Sequence, residues 1–172
     1  MNTLEAIMNR KSIRKYTDQK IEKEKIETIL KAGMAGPVCV NARDWSFIVV
    51  ENKETLCKMA DANGKPAQML KECSLAILVC GDLNRAFPPA KDYWIIDGAI
   101  ACQNMILAAT ELGIGSVWLG TYPQMDRVKN QSELFGLPES IIPHSIIAFG
   151  YPDENGTEKE KWEEDRIHYE RW

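Results

Sequence analysis

The chain has 172 residues, 45% apolar and 27% charged, with a net charge of −4. That is the make-up of one ordinary soluble domain, long enough to bury a core. It excludes a bilayer span, because no apolar run approaches the roughly 20 residues needed, and it argues against a nonspecific nucleic-acid binder.

Thr3 to Asn9 reads as a short helix, with Thr3 a candidate N-cap and Leu4, Ile7 and Met8 on one face. Arg10-Lys11-Ser12-Ile13-Arg14-Lys15-Tyr16 follows, with four cations and one hydroxyl within six residues. A helix here would put Ile13 and Tyr16 on one side and leave the cations on the rest. The arginine forks and a turning hydroxyl suit a phosphate. On charge alone, a solvated basic turn is the plainer reading. From Arg10 to Lys25 the chain carries seven basic and three acidic residues, against four basic and eight acidic from Asp153 to Trp172. So local a basic patch suits a small anion better than a polyanion.

Glu22 to Ala35 is a clearer helix, with Ile26, Ile29, Leu30 and Gly33 on one face, ended by Gly36-Pro37. Trp45 to Val50 is a strand rich in β-branched and aromatic residues. Lys53 to Asp61 reads as a helix, broken by Ala62 to Pro66. Leu75 to Cys80 is a near-continuous apolar strand for the middle of a sheet. Asp92 to Leu112 is the longest helix. From Ala99 on it is apolar nearly all round, apart from a stripe of Gln103, Asn104, Thr110 and Glu111, so burial of the rest is expected. Ser116 to Leu119 is a short strand, Pro123 to Phe135 a helix, and Ser145 to Phe149 another buried strand. Four strands separated by helices predict an α+β domain, an α/β/α sandwich, spanning 1–172. The tail from about 153 to 172 is too polar for a core of its own, yet carries Trp162, Tyr169 and Trp172. A partner subunit is the obvious surface for those rings.

Catalytic motifs are scarce. No GxGxxG opens a strand–helix unit, and GxxxxGK[ST] and GxSxG are absent. His144 and His168 read as structural, and no catalytic residue is assigned. With two histidines and five well-separated cysteines lacking a CxxC pair, no metal site is expected. Cys39 alone among the cysteines lies in a loop. The N-terminus lacks a signal-peptide layout, and a reduced cytoplasmic protein is expected.

The basic stretch resembles the N-terminal signature of the nitroreductase family, flavin enzymes that bind FMN. Further stretches agree in order. Gly36-Pro37-Val38-Cys39-Val40-Asn41-Ala42-Arg43-Asp44-Trp45 resembles the family's Pro-Ser-x-x-Asn-x-Gln-Pro-Trp loop. Asp97 through Gly120 resembles its central helix and following strand. Phe149-Gly150-Tyr151-Pro152 and His168-Tyr169-Glu170-Arg171-Trp172 resemble its last strand and closing tail. Two places depart: Val38 replaces a small polar residue, and Arg43-Asp44 replaces Gln-Pro. The chain is also short for the family and lacks its long helical insertion.

The resemblance implies a nitroreductase-like fold, with a central mixed sheet flanked by helices and a tail extending onto the partner subunit. It implies FMN, with Arg10, Lys11, Ser12, Arg14 and Lys161 at the phosphate. Pro37, Val38, Cys39 and Asn41 would approach the flavin from the partner of a homodimer. Leu119 and Gly120 would lie against the ring, and Gln68 or Lys65 would meet its polar edge. NADH or NADPH would reduce the flavin, and a small oxidant would reoxidise it in a ping-pong cycle. Two alternatives stand beside this reading. One is other flavin chemistry on the same fold, such as reductive dehalogenation or flavin fragmentation. The other is a flavin-binding protein without turnover.

Overall fold

The computed structural model describes residues 2–157 and 161–172. Nine regular elements follow one another: α1 (Thr3–Asn9), α2 (Lys23–Met34), β1 (Trp45–Val50), α3 (Lys53–Asn63), β2 (Leu75–Asp82), α4 (Tyr93–Glu111), β3 (Gly115–Gly120), α5 (Met125–Phe135) and β4 (Ile141–Gly150). Among the described residues the four strands form one sheet in the order β1-β2-β4-β3, antiparallel throughout. The sheet expected to be mixed is therefore parallel only at an isolated bridge between Ser12 and Ser116.

Strand alternation divides the core. Leu75, Ile77 and Val79 of β2, with Ile147 and Phe149 of β4, pack with Ile26 and Ile29 of α2 and Met105 and Ile106 of α4. Their neighbours Ala76, Leu78, Cys80, Ile146 and Ala148 pack with Leu56, Met59 and Ala60 of α3. The opposite pairs from Leu75 and Phe149 to Leu78 and Ile146 each fall in one cluster, alternating between the two. A period of two sends each strand's residues to alternate faces. Both faces are covered, which is why β2 reads as a continuous apolar run.

Local chemistry sets several ends. The cap of α1 is Asn2 rather than Thr3, because Asn2 and Glu5 close a reciprocal capping box. Helix α5 stops at Gly136, which adopts the left-handed conformation. A 3-10 segment, Lys65–Lys71, follows Gly64 where the sequence showed only a break.

From Ala99 to Leu112, where burial was expected, Ala101, Cys102, Met105, Ile106 and Ala109 are buried, Ile100, Leu107, Ala108 and Leu112 are half-buried, and only Ala99 outside the polar stripe is exposed. The turn before it is more open, with Tyr93 44% and Ile96 53% exposed. The sheet and α2 cover part of its circumference. Helix α1 also packs on α4, and its Leu4 and Met8 are exposed.

Candidate functional site

The basic stretch is extended, not helical. Its two apolar residues decide this, because Ile13 and Tyr16 are both buried in the core. The backbone is fastened along the outer strand β3 and the end of β4. Ile13 N–H donates to Ser116 O at 2.9 Å, and Thr17 N–H to Tyr151 O at 2.9 Å. Glu154 accepts from the N–H groups of Arg14 and Lys15, and Lys15 O accepts from Asp153 N–H. Tyr16 donates its hydroxyl to Ile13 O, and burial holds the phenol far above its ordinary pKa.

Two glycines admit this arrangement. A Cβ on Gly115 would sit 2.9 Å from the Cβ and Cγ2 atoms of Ile13, and one on Gly150 would sit 2.7–2.9 Å from Tyr16. The β-branched Ile13 has little freedom to move aside. Gly115→Ala is therefore expected to cost roughly 1–3 kcal/mol of stability, as overpacked cores do. A urea-unfolding midpoint unchanged from wild type would contradict it.

With Ile13 and Tyr16 inward, the polar residues of the stretch other than Lys15 face a cavity of about 480 Å³. Arg10, Lys11, Ser12 and Arg14 line it, and Lys161 joins them from the tail. Thr157, Asn9 and Glu154 complete the polar wall. Two grooves continue along β3. One, of about 240 Å³, shares Arg10 and Ser12 and adds Gln103 and Trp118. The other, of about 380 Å³, shares Arg14 and Trp118 and adds Leu119, Gly120, Asn63, Pro66 and Arg127. The carbonyl of Gly120 is held by Asn63 Nδ2 at 3.3 Å and by Arg127 Nη1 at 3.0 Å. Asn63 in turn accepts from Thr121 Oγ1 at 2.9 Å.

Arg10, Lys11, Ser12, Arg14 and Lys161 thus meet in one place, with Leu119 and Gly120 further along the same strand. Gln68 does not join them. It is exposed, it bonds back to Gly64 O, and Pro66 of the same turn lines the groove instead. Pro37, Val38, Cys39 and Asn41 line none of these three cavities. Their loop is tied to α4, where Cys39 N–H lies 3.1 and 3.0 Å from the two oxygens of Asp97. Sequence reasoning missed Glu154, Arg127 and Asn63. Glu154 and Asn63 act on backbone far away in the chain and Arg127 reaches back seven residues to Gly120, and no local pattern marks such partners.

The histidines are accounted for structurally. Buried His144 bonds Ile95 O through Nε2 and Ser145 Oγ through Nδ1, both at 2.9 Å, and burial lowers its pKa. His168 packs on the Trp172 ring at 4.3 Å. All five cysteines are unpaired, and among the described residues no acidic, histidine and cysteine group is arranged to hold a metal.

Four cations and two hydroxyls around one cavity are a donor set for a phosphate. The acid among them, Glu154, is engaged by backbone N–H groups. The profile of the nitroreductase family matches residues 7–78 and 63–151. A protein of Methanothermobacter thermautotrophicus named as an NADH dehydrogenase/NAD(P)H nitroreductase is 46% identical, over 100% of this chain and 88% of its own length. A crystal structure under the same name, from Parabacteroides distasonis, superposes with a TM-score of 0.93 at 42% identity and covers 100% of both chains. A nitroreductase of Desulfovibrio desulfuricans solved with FMN gives a TM-score of 0.85 at 28% identity, over 100% of this chain and 98% of that one. Fold, order of motifs and likeness over the whole length agree, and the chain belongs to the nitroreductase family.

Proposed function

We propose that the chain is an FMN-dependent NAD(P)H oxidoreductase that passes reducing equivalents to a nitroaromatic, a quinone or a similar small oxidant. The observation that carries this reading is the convergence of Arg10, Lys11, Ser12, Arg14 and Lys161 on one cavity beside β3. Those side chains would hold the FMN phosphate with charge-assisted bonds. The backbone at Leu119 and Gly120, kept in place by Asn63 and Arg127, would lie along the ring. When bound, FMN supplies hydride acceptance and donation at N5. Reductant and oxidant would occupy the same place in turn, a ping-pong cycle. The chain's part is to bind and orient, which fits a site whose histidines are committed to structural contacts.

A homodimer belongs to the proposal. Leu4 and Met8 of α1 are 70% and 74% exposed, and Tyr93 and Ile96 of α4 are 44% and 53% exposed, apolar surface of the kind that seeks a partner. Trp162, Tyr169 and Trp172 of the tail are 68%, 86% and 100% exposed on their own chain. The loop with Pro37, Val38, Cys39 and Asn41 serves no cavity of its own chain along β3. A twofold arrangement would let each tail cover, and each loop complete, the other protomer. No helix among the described residues is long and apolar enough to cross a membrane. The cytoplasm is the proposed location, where unpaired cysteines are stable.

The test is to add NADH or NADPH without oxygen to the yellow protein. Bleaching supports the enzyme. A stable colour with both nicotinamides supports a binder without turnover, and a colourless protein that takes up no FMN removes the reading. Arg10→Ala is expected to weaken FMN binding by roughly 1.5–3 kcal/mol, about ten- to 150-fold, as for a lost bond to a charged group. Quenching of FMN fluorescence on titration measures it.

A further inference from the structure

Asp44 and Asp97 are a pair that the reaction described above does not use. Asp44 stands just before β1 and is 0% exposed, and neither of its carboxyl oxygens has an N–H or O–H donor. Asp97, on α4, is 2% exposed. Its two oxygens share a single donor, the Cys39 N–H, which leaves Asp97 spare acceptor capacity. Two ionised carboxylates buried side by side would be strongly unfavourable. A proton on Asp44 removes one charge and supplies the missing hydrogen bond, from Asp44 to Asp97.

The other facing groups reinforce this. Asp82, at the end of β2, adds negative potential, and its carboxylate caps the N–H of Asn84. The Cys39 thiol, raised first by burial and then by Asp97 and Asp44, remains protonated. The Arg43 guanidinium turns instead to Asn41 Oδ1 at 3.2 Å. Burial first, and Asp97 second, lift the Asp44 carboxyl from 3.8 to about 6.

The loop held by Asp97 is strained. Val40, Asn41 and Arg43 have φ of 42°, 56° and 50°, left-handed values that side chains disfavour, a β-branched one most of all. Such a backbone persists only where its surroundings hold it. The Cys39–Asp97 contact ties the loop to α4.

We propose that Asp44 and Asp97 hold one proton between them, and that this proton fastens the 37–43 loop. Resting on the dimeric FMN site proposed above, the loop so fastened is the one that completes the partner's flavin pocket. Asp44 and Asp97 are then positioning residues. The sign follows from proton counts. Between the ordinary carboxylate range and about 6, the folded chain holds more protons than the unfolded one. The stabilisation is present at low pH and is lost as pH rises through about 6. Above that point the second charge repels Asp97, and the strained loop loosens. Asp44 also occupies the place where the family resemblance would put a proline, which could hold no proton.

The test follows the full chain by infrared spectroscopy and by amide exchange at Cys39, with and without FMN. Wild type should show the carbonyl stretch of a protonated carboxylic acid at low pH, lost with a midpoint near 6. Asp44→Asn should lack that band. After correction for intrinsic rates, Cys39 exchange in wild type should quicken by about tenfold or more above the midpoint. In Asp44→Asn it should stay slow throughout, because the new amide donates to Asp97 at every pH. Asp97→Asn is the second variant, and it should lose the band and the pH dependence together. A wild type without a titrating acid band, a band that survives in Asp44→Asn, or one common exchange profile in all three proteins would overturn the shared proton. FMN affinity that falls above the midpoint only in wild type ties the loop to the flavin, and affinity flat with pH overturns that tie. A protein that takes up no FMN overturns the function proposed above and leaves the infrared test intact.

Discussion

Deleting Lys161 to Trp172 should abolish the proposed dimer and weaken FMN binding by more than about a hundredfold, a loss above roughly 2.7 kcal/mol. Two separate contributions disappear together. Lys161 is one of the cations around the phosphate cavity, and its removal alone should cost an amount similar to Arg10→Ala. The remainder comes from the tail's apolar surface. Every residue from 161 to 172 is exposed on its own chain, including Trp162, Ile167, Tyr169 and Trp172. Such surface is stable only when something covers it. A wrapped interface of this kind buries more than about 2,000 Å² and couples folding to association. The core does not need the segment, since the two buried clusters and their packed neighbours lie between Ile13 and Tyr151. Sedimentation and FMN titration of the truncated protein decide the matter. A truncated chain that remains a dimer and binds FMN as wild type does would refute both the wrapping and the role of Lys161.

Phe149→Ala should lower stability by about 3–5 kcal/mol, the range for emptying a large buried aromatic site. Phe149 is 0% exposed and is among the largest fully buried side chains. It stands opposite Leu75 in the register and packs in the cluster that joins the sheet to α2 and α4. Against a total stability of about 5–15 kcal/mol, that loss is a large fraction. Its side chain lines none of the cavities along β3, so the molecules that remain folded should bind FMN with unchanged affinity. Chemical denaturation and FMN titration on the same sample separate the two effects. A destabilisation under about 1 kcal/mol would mean that neighbouring side chains collapse into the space more completely than a close-packed core allows.

Some of this protein was legible from the chain alone. Trp45–Val50 is a strand with the bounds its β-branched and aromatic residues indicate. Helices α2 and α4 end within one residue of their periodic patterns. The cationic character of Arg10 to Lys15 was also legible, because it depends on residue type and not on conformation, although on charge alone a solvated basic turn was the plainer reading of it. These features are local: neighbours in sequence generate the signal.

Tertiary contacts decided the rest. Two apolar residues three apart suit a helix, yet the stretch containing Ile13 and Tyr16 is extended, because bare backbone at Gly115 and Gly150 receives those side chains. The antiparallel order of the strands was invisible, since an apolar run has no direction until it pairs. The tail's Lys161 joins the basic stretch only because β4 returns the chain beside it. Glu154 and Asn63 carry no motif; each matters for distant backbone groups it happens to reach. In the sequence, Asp44 stood out only as half of the Arg43-Asp44 pair that replaces Gln-Pro. Burial against Asp97 makes it an acid near neutrality, since the energy of a charge depends on its surroundings, which the fold alone supplies.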